Sequence, residues 1–247
     1  MNGDRWLTGF RRIGQVFFSA RAVGCLVCHA SVSGNNPLGL CAACYGKIPW
    51  IRQVACQVCG RAETCGDCQR RAERYVKMNR SAVRYDDTMK DWLALYKYRG
   101  NERLEPLFGR MLLHAYRLLP ADVNFDLVTF VPISGERLSE RGFNQAERMA
   151  RRLAGTLRLP VVPLIDRVKH TEKQSFKSRR ERLENLTEAF VPVSREAEVV
   201  MERYRKQDKI RVLLVDDVYT TGTTLNQCAS VIHRIVPAEV YGLCWAR

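Results

Sequence analysis

Residues 213–225, LLVDDVYTTGTTL, form the stretch that decides the fold. The aliphatic residues 213–215 predict the end of a buried strand, and Asp216 and Asp217 follow them directly. A loop of four threonines around one glycine, residues 220–224, then leads into a helical pattern. Ligands of open α/β sheets bind at such junctions, at the carboxyl ends of the strands. We therefore expect a binding site here.

The residue types of this junction suit a sugar phosphate. A glycine lets the backbone approach an anion closely, and the N–H groups of a helix N-terminus and the threonine hydroxyls can donate to it. Carboxylates beside such a loop repel phosphate, so their natural partners are hydroxyl groups or a divalent cation. The alternative is a solvated Asp-Asp turn with a threonine-rich helix cap. We predict a ribose-5-phosphate site formed by Asp216, Asp217, Thr220, Thr221, Gly222, Thr223 and Thr224.

Strand and helix patterns alternate from residue 80 to residue 247. Predicted strands span 82–85, 126–133, 209–215 and 239–246, and predicted helices span 87–100, 105–119, 144–157 and 224–236. Near-continuous apolar strands separated by helices predict an α/β domain, a mostly parallel sheet flanked by helices. Residues 69–79 contain a polar, basic stretch that we interpret as a connector. Cys228 and Cys244 fall in apolar patterns and are expected in the core.

Eight of the ten cysteines lie in four C-x2-C pairs within residues 25–70. Each pair presents two thiolates on one turn, so two pairs complete a tetrahedral zinc site. Disulfides are the alternative, but the sequence shows no export signal, and cytosolic thiols stay reduced. We predict a small module with two structural zinc ions. Sequential pairing is the simplest, but only five residues separate the last two pairs, so nested or crossed pairing stays open. The ligands are Cys25, Cys28, Cys41, Cys44, Cys56, Cys59, Cys65 and Cys68.

The chain is basic, with 40 Lys+Arg against 26 Asp+Glu and a formal net charge of +14. Residues 1–80 hold 12 basic and 4 acidic residues and so contribute +8. This charge indicates either a nucleic-acid partner such as single-stranded DNA or a solvated basic surface. Residues 1–24 contain no apolar run longer than VFF, so we interpret them as a basic lead-in and expect a cytoplasmic protein without membrane insertion.

Residues 212–225, VLLVDDVYTTGTTL, resemble the motif with which type I phosphoribosyltransferases bind 5-phosphoribosyl 1-diphosphate (PRPP). Further similarity lies in LALYKYRG (93–100), RGFNQAERMA (141–150) and the spaced pattern T-x2-Q-S…R-x2-N-L-x3-F (171–190). Together with the cysteine pairs, these features resemble the ComF family, which includes the GntX proteins and competence proteins. The chain departs from that pattern in its head, because many members have fewer cysteine pairs.

The resemblance implies a type I phosphoribosyltransferase-like fold, a ribose-diol role for the paired aspartates and 5′-phosphate binding by the threonine loop. VPISGER (131–137) occupies the place of the pyrophosphate loop, which implies diphosphate contacts from Ser134, Arg137, Arg141, Asn144 and Gln145. For Asn144, simple helix capping is an equal alternative. Residues 167–186 correspond to a mobile active-site loop, or else to an exposed basic or nucleic-acid surface. The loop candidates are Lys169, Thr171, Gln174 and Ser175.

The implied reaction is displacement of diphosphate from PRPP by a nitrogen nucleophile that the sequence does not identify, with Mg²⁺ bridging the diphosphate. Two functions follow. The first is a PRPP-dependent transferase or PRPP-sensing protein with a zinc-binding head, acting in DNA uptake, natural transformation or DNA utilisation. The second is a non-catalytic, zinc-bearing DNA-binding or adaptor protein that works with the competence machinery and uses the PRPP site for regulation or not at all.

Overall fold

A computed structural model describes residues 24–32, 36–63, 65, 66, 68, 73–98, 102–168 and 189–247. Most of the basic lead-in falls outside these residues. So do the loop candidates Lys169, Thr171, Gln174 and Ser175, whose predicted role stays a prediction. None of the helices within the described residues combines the length and the apolarity needed to cross a bilayer.

Six strands and seven α-helices lie in the described residues. The strands are β1 (Val76–Val83), β2 (Leu127–Phe130), β3 (Ile165–Arg167), β4 (Phe190–Pro192), β5 (Ile210–Val218) and β6 (Ala238–Ala246). The helices are α1 (Ala42–Gly46), α2 (Asp87–Tyr98), α3 (Glu105–Tyr116), α4 (Gly135–Arg141), α5 (Gln145–Leu157), α6 (Ser194–Tyr204) and α7 (Thr223–Ile235). The predicted helices and the strands before and after α7 are therefore confirmed, with shifted ends.

The central sheet has the order β1-β6-β5-β2, and every pairing in it is parallel. Alternate residues of β5 point to opposite faces, so Leu213 and Val215 join a core with α2, α3 and α5. Val212 and Leu214 join a second core with α6, α7 and the antiparallel pair β3–β4. Cys228 and Cys244 are fully buried in this second core. The predicted α/β fold, a parallel sheet flanked by helices, is confirmed.

Strand β1 corrects the sequence prediction, which placed a strand at 82–85 and a connector before residue 80. The strand starts at Val76, and its polar residues Asn79, Arg80 and Ser81 are buried. Arg80 donates to the carbonyl of Gln57 (3.0 Å), and Asn79 donates to the carbonyl of Cys59 (3.3 Å). Asn79 and Arg80 are buried polar residues whose hydrogen-bond partners lie in the cysteine-rich head. The local pattern of hydrophobic residues cannot reveal such a distant partner.

The head also covers the exposed edge of the sheet. β1 is an edge strand, and backbone groups of the head pair with it: Ile51 N–H donates to the Ala82 carbonyl (3.0 Å), and Asn79 N–H donates to the Val58 carbonyl (2.6 Å). At Gly60 the φ angle is +76°, and an added Cβ would lie 2.5 Å from the Asn79 carbonyl oxygen. Only glycine allows the head to approach β1 this closely.

Candidate functional site

The paired aspartates lie within strand β5, which extends to Val218 and does not end before them as predicted. The pleat directs adjacent residues to opposite faces. Asp217 accordingly faces α2 and α5, and the charge of Asp216 acts on the thiol of Cys228 in α7. Both residues are buried, with 9% and 8% of their surface exposed. The two carboxylates therefore flank the carboxyl end of β5.

A hydrogen-bonded network joins Asp217 to two other segments of the chain. Lys97 of α2 forms an ion pair with Asp217 Oδ2, and Gln145 Nε2 donates to the same oxygen (2.9 Å). Arg141 donates to Gln145 Oε1 (3.1 Å) and to the Tyr98 hydroxyl (3.0 Å), with its guanidinium 4.9 Å from the Tyr98 ring centre. The segments 93–98, 141–150 and 213–225, distant in sequence, thus meet at one place.

The environments of the two carboxylates push their pKa values apart. Burial raises the pKa of Asp216 well above its usual range, and the charge of Asp217 raises it further. Burial also opposes ionisation of Asp217, but the charge of Lys97 and the hydrogen bonds from Lys97, Gln145 and Val218 N–H hold its pKa below the ordinary value. The pair therefore holds one negative charge more readily than two.

The threonine loop lies beside these carboxylates and opens toward solvent. Thr220, Thr221, Thr223 and Thr224 are exposed, and α7 begins within the loop, at Thr223. Gly222 adopts φ +78°, and an added Cβ would lie 2.2 Å from the hydroxyl of Tyr219, which packs beneath the loop. Backbone N–H groups at the start of a helix of this length favour an anion. The loop thus combines exposed hydroxyl donors with a helix N-terminus.

The predicted diphosphate residues divide into two groups. Ser134 caps α4 by accepting from Arg137 N–H (3.4 Å), and Arg137 itself is exposed. Asn144 Oδ1 caps α5 by accepting from Ala146 N–H (2.9 Å), while its Nδ2 donates to the Val131 carbonyl (3.0 Å). Both polar atoms of Asn144 are therefore engaged within the protein, which favours the capping alternative. Arg141 and Gln145 instead belong to the network on Asp217.

The eight head cysteines form two clusters with sequential pairing. The sulfurs of Cys25, Cys28, Cys41 and Cys44 lie within 4.8 Å of one another, and so do those of Cys56, Cys59, Cys65 and Cys68. This spacing and the all-thiolate ligand set fit one tetrahedral zinc ion per cluster. Burial alone would raise the pKa of the Cys25 thiol, but hydrogen bonds from the backbone of residues 27, 28 and 41 lower it to about 6. In the same cluster, burial and the neighbouring cysteines raise the pKa of Cys44, so the four sulfurs hold one thiolate more readily than several.

The second cluster contacts the threonine loop through one arginine. Arg247 donates to the Cys59 carbonyl (2.8 Å), and its guanidinium lies 4.7 Å from the centre of the Tyr219 ring. Tyr219 in turn supports Gly222. The sequence prediction assigned no role to the side chains of Lys97, Tyr219 and Arg247. A bulky aromatic side chain three positions before the glycine of the loop was the available signal for Tyr219.

No protein-family model matches the chain. Competence protein ComFC of Bacillus subtilis is 32% identical over 199 residues, covering 77% of this chain and 76% of that protein. Competence protein F of Haemophilus influenzae is 28% identical over 242 residues, covering 93% of this chain and 99% of that protein. DNA utilization protein YhgH of Escherichia coli K12 is 26% identical over 219 residues, covering 85% and 90%. Because the similarity to the Bacillus protein extends over most of both chains, this chain belongs to the ComF family.

Proposed function

We propose that the chain binds PRPP with Mg²⁺ at the junction of β5 and α7. The observation that carries this proposal is the meeting of three separate segments around Asp217, beside an exposed threonine loop at the carboxyl edge of a parallel sheet. Asp217, whose pKa is lowered, would accept from a ribose hydroxyl as a carboxylate, and Asp216, whose pKa is raised, would bind the second hydroxyl as a neutral carboxyl group. Thr220 to Thr224 would donate to the 5′-phosphate.

The diphosphate would lie toward β2, where Arg141 and the start of α4 stand. Arg141 Nε is buried and has no hydrogen-bond partner among the described residues, so this guanidinium retains a donor. The paired aspartates could contact Mg²⁺, which when bound would neutralise part of the charge of the diphosphate. Lys97 keeps Asp217 ionised, which is the state that accepts from hydroxyl groups.

Titration calorimetry with PRPP and Mg²⁺ tests this site. We expect the wild type to bind and the variant with Asp216→Asn and Asp217→Asn to lose about thirtyfold or more in affinity. The reason is that one charge-assisted hydrogen bond of about 1.5–3 kcal/mol, to Asp217, and one neutral hydrogen bond of about 0.5–1.5 kcal/mol, to Asp216, would be lost. The matched control, Asp122→Asn with Asp208→Asn, removes the same charge from exposed positions and should bind normally.

A second variant guards against misfolding of the aspartate variant. Thr220 and Thr224 are exposed, so replacing both with valine leaves the fold intact while removing two donors from the loop. PRPP affinity should fall by about tenfold or more. Unchanged affinity in both variants would contradict the proposed site. If PRPP binds as expected, a screen of nitrogen-bearing acceptors for pyrophosphate release shows whether binding leads to transfer.

We also propose a role in the uptake or use of DNA. Relatives over most of the chain are named competence and DNA utilization proteins, and the formal net charge of +14 suits a polyanionic partner. In this second function the head is an adaptor that contacts single-stranded DNA. The zinc ions, held by closed sets of four sulfurs, would be structural.

One groove favours this DNA contact. A cavity of about 660 Å³ lies between the first cysteine cluster and α3, and its walls combine positive charge with aromatic rings. The rings of Trp50 and His114 lie 4.7 Å apart, and Tyr45 is 46% exposed. Stacking on such rings and pairing with arginines bind single strands without sequence preference. The basic residues lining the groove are Arg52, Arg110, His114 and Arg117.

Fluorescence anisotropy with a labelled oligothymidylate tests the groove between about 50 and 200 mM salt. Replacing Arg52 and Arg117 with alanine should weaken binding and lower the slope of log affinity against log salt by about 1–1.5, because two phosphate contacts are lost. The control replaces Arg195 and Lys206, which are exposed on and just after α6, and should keep the wild-type slope. A salt-independent wild type would exclude DNA as a direct ligand.

A further inference from the structure

The second cysteine cluster and the threonine loop face each other across a cavity of about 400 Å³. The loop contributes residues 219–221 to the lining, and Arg247 lines the same space. The cluster contributes Cys59, Cys65 and Cys68. Within the described part of the chain, no cysteine of the first cluster lines this cavity. Of the two metal sites, the second is therefore the one placed to influence the loop.

Arg247 connects the second cluster to the loop from a fixed backbone position. Its N–H donates to the Val83 carbonyl (3.0 Å), and its carbonyl accepts from Tyr85 N–H (2.7 Å), so the backbone is held against the end of β1. Its side chain donates to the Cys59 carbonyl (2.8 Å), and the guanidinium lies 4.7 Å from the centre of the Tyr219 ring. A shift of Cys59 must therefore move the guanidinium relative to the ring.

The ring of Tyr219 supports the loop from below. Tyr219 is only 7% exposed, and a Cβ added at Gly222 would overlap its hydroxyl group, so the hydroxyl lies directly against the backbone of Gly222. Gly222 is the residue before the first turn of α7. A change in the position of the ring thus alters the backbone N–H groups at the start of α7, which are the groups assigned to the 5′-phosphate.

A second connection runs from the cluster to the first turn of α7. Arg74 donates to the Cys68 carbonyl (2.6 Å). The neighbouring Tyr75 N–H donates to Asn226 Oδ1 (2.8 Å), and Asn226 Nδ2 donates to the Glu73 carbonyl (3.4 Å). Because Asn226 follows the threonine loop and Arg247 contacts the residue before it, the two connections bracket the loop.

The state of the metal site decides how firmly these connections are held. Bound zinc fixes four sulfurs at about 2.3 Å from one point, and small modules of this kind lose their structure without the ion. With zinc bound, the four thiolates also give the cluster a net negative charge, which favours the guanidinium of Arg247 beside it. Loss of the ion removes both the fixed position of the Cys59 carbonyl and this attraction.

We infer that the second zinc site positions the threonine loop through Arg247 and Tyr219, so that a ribose 5-phosphate group binds more tightly to the zinc-loaded chain. The inference rests on the proposed function for the identity of the ligand. Arg247 and Tyr219 are positioning residues, because they act on the loop and carry no assigned contact with the ligand. Since coupling between two binding sites is reciprocal, bound ligand raises the zinc affinity of the second cluster by the same factor.

Two probes separate an effect on the loop from a general loss of structure. Ribose 5-phosphate reports on the loop, and diphosphate with Mg²⁺ reports on the side of Arg141. Each is titrated into the full-length wild type, into Cys65→Ser, which lacks the second zinc ion, and into Cys28→Ser, which lacks the first. We expect Cys65→Ser to lose about fivefold or more in affinity for ribose 5-phosphate and to keep its affinity for diphosphate. Cys28→Ser should bind both probes like the wild type.

A double-mutant cycle tests whether Arg247 carries the coupling. Arg247→Met should weaken ribose 5-phosphate binding about as much as Cys65→Ser does, although two zinc ions stay bound. Combining the two changes should weaken it by less than about twofold more, because both break the same connection. Arg247→Lys, which keeps a cation and a donor, should recover part of the affinity. The control Arg195→Met, at an exposed position on α6, should bind normally.

The reciprocal effect is measured without altering the second cluster. Zinc affinity is determined by competition with a chelator, with and without saturating ribose 5-phosphate. In Cys28→Ser, where only the second site binds zinc, the ligand should raise zinc affinity about fivefold or more. In Cys65→Ser, where only the first site remains, it should have no effect.

Equal affinity of the wild type and Cys65→Ser for ribose 5-phosphate would overturn the inference while PRPP binding stands. A zinc affinity of the second cluster that does not respond to ribose 5-phosphate would overturn it too, and this measurement does not depend on the folding of Cys65→Ser. A wild type that binds neither PRPP nor ribose 5-phosphate would refute the proposed function, and the inference with it.

Discussion

Replacing Cys59 with serine is expected to lower bound zinc from two ions per chain to one and to destabilise the sheet as well as the head. Cys59 is buried, and its carbonyl accepts hydrogen bonds from Arg247 and Asn79. Structural zinc contributes about 10–16 kcal/mol to folding of small modules, which exceeds the stability of many whole domains. Loss of the ion therefore releases the segment that covers β1.

Metal analysis together with thermal unfolding measures this effect. The control variant is Cys228→Ser, because Cys228 is a buried cysteine outside both clusters and its replacement should leave two zinc ions bound. Cys28→Ser in the first cluster should also remove one ion, which tests whether the clusters load independently. A Cys59→Ser protein that still holds two zinc ions, or a wild type that holds none, would contradict the assignment of the clusters.

Lys97→Met is expected to lower the free energy of unfolding by about 3–5 kcal/mol at pH 7, the cost of leaving a buried carboxylate unpaired. The side chains of Lys97 and Asp217 are 17% and 11% exposed, so solvent screens the pair little. Urea unfolding measures the loss. Lys90→Met, at an exposed position on the same helix, should change stability by no more than about 0.5 kcal/mol.

The pH dependence of this loss provides a second measurement. The pKa of Asp217 is lower in the folded chain than in the unfolded chain. Its contribution to stability is therefore present above the unfolded value and disappears as the pH falls through the folded one. The gap between wild type and Lys97→Met should accordingly narrow in acid. Adding Asp217→Asn to Lys97→Met should recover most of the lost stability, because no buried carboxylate is then left unpaired. If the stability difference between wild type and Lys97→Met changed neither with pH nor with the added substitution, the ion pair would not contribute to stability.

The fold could be predicted where local pattern and burial agree. Strands β5 and β6 and helix α7 have apolar residues at almost every buried position. The spacing of these residues and the length of each segment were therefore sufficient to predict the element. The first part of β1 could not be predicted, because Asn79 and Arg80 are buried against the head. In the sequence, a buried polar residue with a distant partner cannot be distinguished from a solvent-exposed one. The three-residue strands β3 and β4 are too short for a periodic signal, and their pairing depends on contact with α7.

The residues of the candidate site could be selected from the sequence, but their arrangement could not. The order of hydrophobic residues, aspartates and threonines marks the end of β5, and the four C-x2-C pairs mark the clusters. The sequence could not show that the two aspartates occupy opposite faces, because that depends on how far the strand continues. It also could not show that Lys97 and Gln145 meet Asp217, since these contacts join segments 72 or more residues apart.

The pairing of the head with β1 has a practical consequence for anyone who trims this protein. A fragment that begins after the last cysteine would expose a row of unpaired backbone donors and acceptors along β1. Such a row recruits strands from neighbouring molecules. Expressed by itself, the α/β domain would consequently precipitate or form mixed oligomers, and a soluble version would require charged or proline substitutions along β1.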